Sequence, residues 1–131
     1  MVSSAGSGKV AATPVDLYAF GTRVAPRAPR PGIDLFADAA GMVGPENPPF
    51  PNGASTFADP QQAPLTGHYH RLPQGTLLPN GIDVVADGSD VNANSPHPPT
   101  HHTIYPAAAV QMAQFIQLYL GLPWQYVGKK P

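Results

Sequence analysis

At 131 residues and a formal net charge of -1, with seven basic against eight acidic side chains, the chain lacks the basic excess that a phosphate-neutralising nucleic-acid surface requires. It contains no cysteine, which removes disulfides, thiolate zinc sites and cysteine nucleophiles together and fits a reducing compartment. The 18 prolines and 13 glycines, set beside 42% hydrophobic residues, predict a loop-rich folded domain rather than a disordered chain.

Residues 1–13 are Ser, Gly and Ala without periodicity, so a disordered tail is expected ahead of one domain spanning 14–131. Gly6-Ser7-Gly8-Lys9 resembles a phosphate-binding loop only superficially, because the first glycine of that motif is missing and Val10 replaces its hydroxyl residue. No apolar run approaches the ~20 residues that cross a bilayer, and the first residues lack the long apolar segment of a secretory signal. A membrane partner is therefore not expected.

Residues 15–20 are rich in β-formers and read as a first strand ending at Gly21. Arg23, Arg27 and Arg30 follow, interleaved with prolines. Proline fixes φ, so these guanidinium groups form a semi-rigid array suited to carboxylate or phosphate oxygens, or else decorate an exposed connector. Residues 33–36 read as a short strand and 38–52 as a Gly/Pro/Asn-rich loop carrying Glu46, the only glutamate. Gly53-Ala54-Ser55-Thr56-Phe57 then offers a glycine that permits close backbone approach, two adjacent hydroxyls and an aromatic ring able to stack on a flat ligand.

His68-Tyr69-His70 alternates as a strand, with both histidines on one face. Residues 72–78 and 82–85 read as further short strands joined through Pro79-Asn80-Gly81, and Asp87-Gly88-Ser89-Asp90 as another turn. His101-His102-Thr103-Ile104-Tyr105 makes a short strand feeding a helix over 107–120. There Met112, Phe115, Ile116 and Tyr119 recur at helical spacing while Gln111, Gln114 and Gln117 stay polar. Pro106 marks the helix start, and Gly121 with Pro123 marks its end. A short tail over 124–130 packs back through Trp124 and Tyr126. The whole predicts an α+β fold of two small antiparallel sheets with a C-terminal helix.

No nucleophile elbow, H-E-x-x-H zinc motif or dinucleotide G-x-G-x-x-G is present. His68 and His70 together with His97, His101 and His102 could furnish imidazoles for a zinc or nickel site, at a spacing that is not diagnostic. Other readings are a plain interaction domain docking through its Pro-rich loops, or a binding protein without catalysis.

Leu17-Tyr18, Arg27-Ala28-Pro29, the element from Gly53 to Asp59, Leu78-Pro79-Asn80-Gly81-Ile82 and Thr100-His101-His102-Thr103-Ile104-Tyr105-Pro106 stand in one collinear order. In that order the chain resembles a cytoactive toxin family typified by a bacterial type VI secretion effector paired with an immunity protein, with members in fungi. The likeness runs from about Val15 to Leu120 and is strongest in the T-H-x-T-I-x-P string. It implies an ADP-ribosyltransferase-like split β-sandwich around an NAD cleft, acting in the cytoplasm on an intracellular target.

Carried over by position, the resemblance implies that Ser55 and Thr56 line the cleft and support the nicotinamide ribose, and that Phe57 supports the nicotinamide. It places His101 on the strand that usually bears a catalytic glutamate, Tyr18 on the first cleft strand, and Arg27 or Arg30 at the pyrophosphate. Ala19 stands where the bacterial member has arginine. No acidic residue is expected near His101, since Glu46 lies in a distant loop.

Overall fold

A computed structural model of the chain describes residues 11–45 and 50–131. Among them lie β1 (Leu17–Gly21), β2 (Met42–Val43), β3 (Ala54–Phe57), a 3-10 turn (Pro60–Gln62), β4 (Gly67–Leu72), β5 (Ile82–Ala86), β6 (His101–Pro106), β7 (Val110–Gln111), α1 (Met112–Leu120) and β8 (Gln125–Lys130). The fold is α+β and mostly sheet. Of the two antiparallel sheets, one is not small: six strands join in a sheet of order β5-β6-β3-β1-β4-β8, and β2 with β7 makes a separate two-stranded ribbon. Strand β6 explains the merger: it pairs with β3 on one side and β5 on the other, and all but one of its residues are buried, as an interior strand requires.

Helix α1 lays Phe115 and Tyr119 on a core built from Leu17, Ala54, Leu72, Ile82 and Ile104 of the sheet and Leu35, Leu78 and Leu122 of the loops. Each such large side chain contributes about 1.5–3 kcal/mol by leaving water. The helix starts five residues later than its sequence marks suggest. Pro106 ends β6 instead of opening the helix, and Val110–Gln111 is drawn off to pair with Met42–Val43. Gly121 closes the helix, its N–H bonding to the Gln117 carbonyl at 2.9 Å.

Four other expectations change. Residues 73–78 form a turn and loop after β4 rather than a strand. Residues 125–130 form β8 beside β4 rather than a tail, and Lys130 Nζ donates to the carbonyls of Pro60 (3.1 Å) and Ala63 (2.8 Å). Residues 33–36 form a turn, the Arg30 carbonyl accepting the N–H groups of Ile33, Asp34 and Leu35. The expected tail is ordered by residue 13, where the Thr13 hydroxyl donates to the Pro73 carbonyl at 2.7 Å and Ala12 bridges to Leu77. Residues 1–10 and Glu46 lie outside the described residues. No helix among the described residues is long and apolar enough to cross a membrane.

The sheet is weakly joined in one place. Strand β1 pairs with β4 at five positions but with β3 at one, Tyr18 opposite Phe57. Past that pair the two strands part.

Candidate active site

A cleft of about 300 Å³ opens where β1 and β3 separate, between Ala19, Phe20 and Gly21 on one side and Ala54, Ser55 and Phe57 on the other. Tyr119 lines it from the core, Arg27, Arg30 and Asp34 from the loop after β1, and His97 and His101 from around β6. Residues alternate along a strand, so Ser55 and Phe57 of β3 share a face with Thr103 and His101, their register partners on β6, whereas Ala54 and Ile104 face the core.

A hydrogen-bonded chain runs from Ser55 and His101 in this cleft to Asp87 buried behind them. His101 Nε2 lies 3.0 Å from Ser55 Oγ, and His101 Nδ1 lies 2.6 Å from Asp87 Oδ1. The other Asp87 oxygen accepts from Thr103 Oγ1 at 2.5 Å. Asp87 and His101 are each 2% exposed, while Ser55 is open to solvent. A carboxylate accepts only, so Nδ1 carries the proton shared with Asp87, and in the neutral ring Nε2 is left to accept from the Ser55 hydroxyl.

The backbone sets this arrangement. Asp87 directly follows β5, whose pairing of Ala86 with His102 brings the carboxylate beside β6, and the Asp87 N–H donates to the His101 carbonyl at 3.1 Å. Residues 87–100 then fold back over the strand: Ser95 Oγ donates to the Asp87 carbonyl, and Gly88 bridges to His97. A side chain at Gly88 would meet the His101 nitrogen and the Pro98 carbonyl at 2.7 Å, so only glycine lets the loop press this closely. Thr100, immediately before His101, takes a left-handed φ of 66°, unusual for a β-branched residue. It is held there by its N–H to Asp90 (2.8 Å) and by its carbonyl, which accepts from Ala58 N–H at 3.0 Å.

Rings fix the imidazole further. Phe57 meets His101 edge-on at 5.3 Å, and His97 stacks on it at 4.0 Å with 9° between the planes. Burial pulls the His97 pKa below the ordinary histidine value; the neighbouring His101 adds to the shift and Asp87 opposes it. Asp87, His97 and His101 offer ligand atoms within 4.8 Å of one another. Imidazole lone pairs lie in the ring plane, however, and two nearly parallel stacked rings cannot both aim at one ion about 2.0–2.1 Å away. Both His101 nitrogens already have partners. The remaining histidines are engaged elsewhere, His68 with the Tyr126 hydroxyl at 2.8 Å, His70 with the Thr22 carbonyl at 2.7 Å and His102 with the Thr100 carbonyl at 2.9 Å.

The arginines differ. Arg30 is paired with Asp34, Nε to Oδ2 at 2.9 Å and an Nη to Oδ1 at 3.3 Å. Burial works to raise the Asp34 pKa, but the hydrogen bonds from Arg30 and the charges of Arg30 and Arg27 outweigh it and hold the carboxyl below its usual range. Arg27 makes no side-chain hydrogen bond among the described residues and so remains available to an anion.

Of the residues expected at the site, Ser55, Phe57, His101, Arg27 and Arg30 share the cleft. Thr56 does not: the pleat sends it to the opposite face from Ser55, where it is fully buried and its hydroxyl donates to the His102 carbonyl at 3.0 Å. Tyr18 stands at the closed end, where β1 and β3 still pair, with its ring against Tyr69. The expectation that no acidic residue stands near His101 is corrected by Asp87. In sequence, Asp87 is hidden in a turn signal; pairing the 82–85 strand with the 101–105 strand as neighbours would have exposed it.

Comparison with protein families, with curated proteins and with solved structures found no match.

Proposed function

We propose that the cleft binds NAD and transfers its ADP-ribose to an intracellular target. The observation that carries this reading is that Ser55, Phe57, His101 and Arg27 line one cleft, with the imidazole backed by a buried carboxylate. Cleavage of the bond between the ribose and nicotinamide leaves an oxocarbenium-like sugar. The site for it needs a flat wall for the departing ring, oriented hydrogen-bond groups at the ribose and a cation at the phosphates.

Phe57 supplies the wall, Ser55 and His101 face the ribose, and Arg27 meets the pyrophosphate. Nicotinamide leaves as a neutral base with the bonding pair, the acceptor oxygen bonds to the sugar carbon, and the acceptor's proton passes to His101 Nε2. Asp87 places a negative charge behind the imidazole, which offsets the positive charge that develops in front of it. The resemblance to the cytoactive toxins supplies the rest of the reading: a toxin acting in the cytoplasm, with a cognate immunity protein as its partner.

Incubating the protein with cell lysate and NAD labelled in its ADP-ribose half tests this. Label on a macromolecule with matching nicotinamide release is expected from the wild type and not from His101→Ala. NAD bound without nicotinamide release would overturn the transferase and leave a sequestering toxin.

A further inference from the structure

We infer that Ser55 is an activated nucleophile towards acyl and phosphonyl electrophiles, with His101 as its general base and Asp87 as the positioning carboxylate. The inference does not rest on NAD being the ligand. It rests on the order of contacts: carboxylate to Nδ1 at 2.6 Å, Nε2 to Oγ at 3.0 Å, with the carboxylate and ring buried and the hydroxyl exposed in a cleft. A serine is a weak nucleophile until an adjacent base takes its proton, and that base must in turn be held by a third group.

The other hydroxyls around the site are used differently. Thr56 donates to the His102 carbonyl and Ser95 to the Asp87 carbonyl, acceptors that take no proton, while Thr103 donates to Asp87 Oδ2 but is buried, away from any substrate. Of these four hydroxyls, that of Ser55 is the one that meets an imidazole nitrogen. A merely structural role explains it poorly, because an exposed serine can bond to water and has no need of a buried histidine.

The reaction would run as a two-step hydrolysis. Ser55 Oγ adds to the carbonyl carbon of an ester while its proton moves to His101 Nε2. The carbon–oxygen bond to the leaving alcohol then breaks as that proton is handed to the departing oxygen. Water, deprotonated by the same nitrogen, attacks the acyl-serine and releases the acid and free Ser55. Arg27, on the same cleft, is the cation available to the developing oxyanion. With a fluorophosphonate the first step stops at the adduct: the oxygen–phosphorus bond forms, fluoride leaves and the proton stays on the imidazole.

The folded wild-type protein treated with an alkyl fluorophosphonate and read by intact mass should gain one phosphonyl group with loss of HF, mapped to Ser55 by peptide sequencing. Labelling of Ser55→Ala should be absent, and that of Asp87→Asn slower by 10-fold or more. No adduct on folded wild-type protein, or one mapped to another residue, would overturn the inference. Because the probe requires no NAD, this result is separable from the transferase assay: an adduct without nicotinamide release supports the nucleophile alone, and release without an adduct supports the transferase alone.

Discussion

The hydrogen bond between His101 Nδ1 and Asp87 selects the ring tautomer, and a substitution at Asp87 separates orientation from packing. Asp87→Asn preserves shape, but the amide presents N–H groups where the carboxylate only accepts, and Nε2 loses its bias towards accepting. NAD turnover should fall by about 10³-fold or more, while stability drops by only about 1–3 kcal/mol; parallel kinetics and thermal melts check the split. The arginines give a second test. Loss of Arg27 removes a charge-assisted contact worth about 1.5–3 kcal/mol, so Arg27→Ala should weaken NAD binding by about 10- to 100-fold in a calorimetric titration. Arg30→Ala should weaken it less, since Arg30 is committed to Asp34. His97 carries the pH dependence: folding lowers its pKa, so the unfolded chain binds that proton more readily. Its contribution is nil well above the ordinary value of 6.5, and stability falls as pH drops through the window just below that value. His97→Phe, which keeps a ring against His101, should flatten this slope in urea melts at a series of pH values.

Among the elements, β3 depends on Gly53, where an added Cβ would lie 2.2 Å from the Ile104 carbonyl oxygen. That approach presses β3 against β6 and so brings Ser55 within reach of His101. Gly53→Ala should cost about 1–3 kcal/mol through overpacking and lengthen the Ser55–His101 contact, seen as a lower midpoint in denaturant and slower fluorophosphonate labelling. The same elements show what was legible in the sequence. The helical spacing of Phe115 and Tyr119 correctly named the residues α1 buries, because one periodic face has one core to meet. Its start was not legible, because Val110 and Gln111 are claimed by Val43 and Met42, far earlier in the chain, a contact that local propensity cannot register. Strand β8 was missed for a related reason. It is an edge strand, largely exposed, and its sequence lacks the apolar alternation that a half-buried strand would show.

In the whole molecule, one sheet carries both core and cleft, and the cleft arises because β1 and β3 part after a single register pair. Pieces of the site come from β3, from the Pro-rich loop after β1, from the residue that ends the β5 excursion and from β6, so no local motif could display them together. Ser55, Phe57 and His101 were readable because each sits in a distinctive string. Asp87 was not, because its role depends on β5 and β6 lying side by side, with residues 87–100 folded over them. The proposed chemistry brings NAD against the His101 imidazole, a contact read by histidine-labelled nitrogen NMR during an NAD titration. A saturable shift of the His101 Nε2 resonance is expected, and Arg27→Ala should weaken it. A His101 resonance that stays in place at saturating NAD, in protein that remains folded, would contradict that contact.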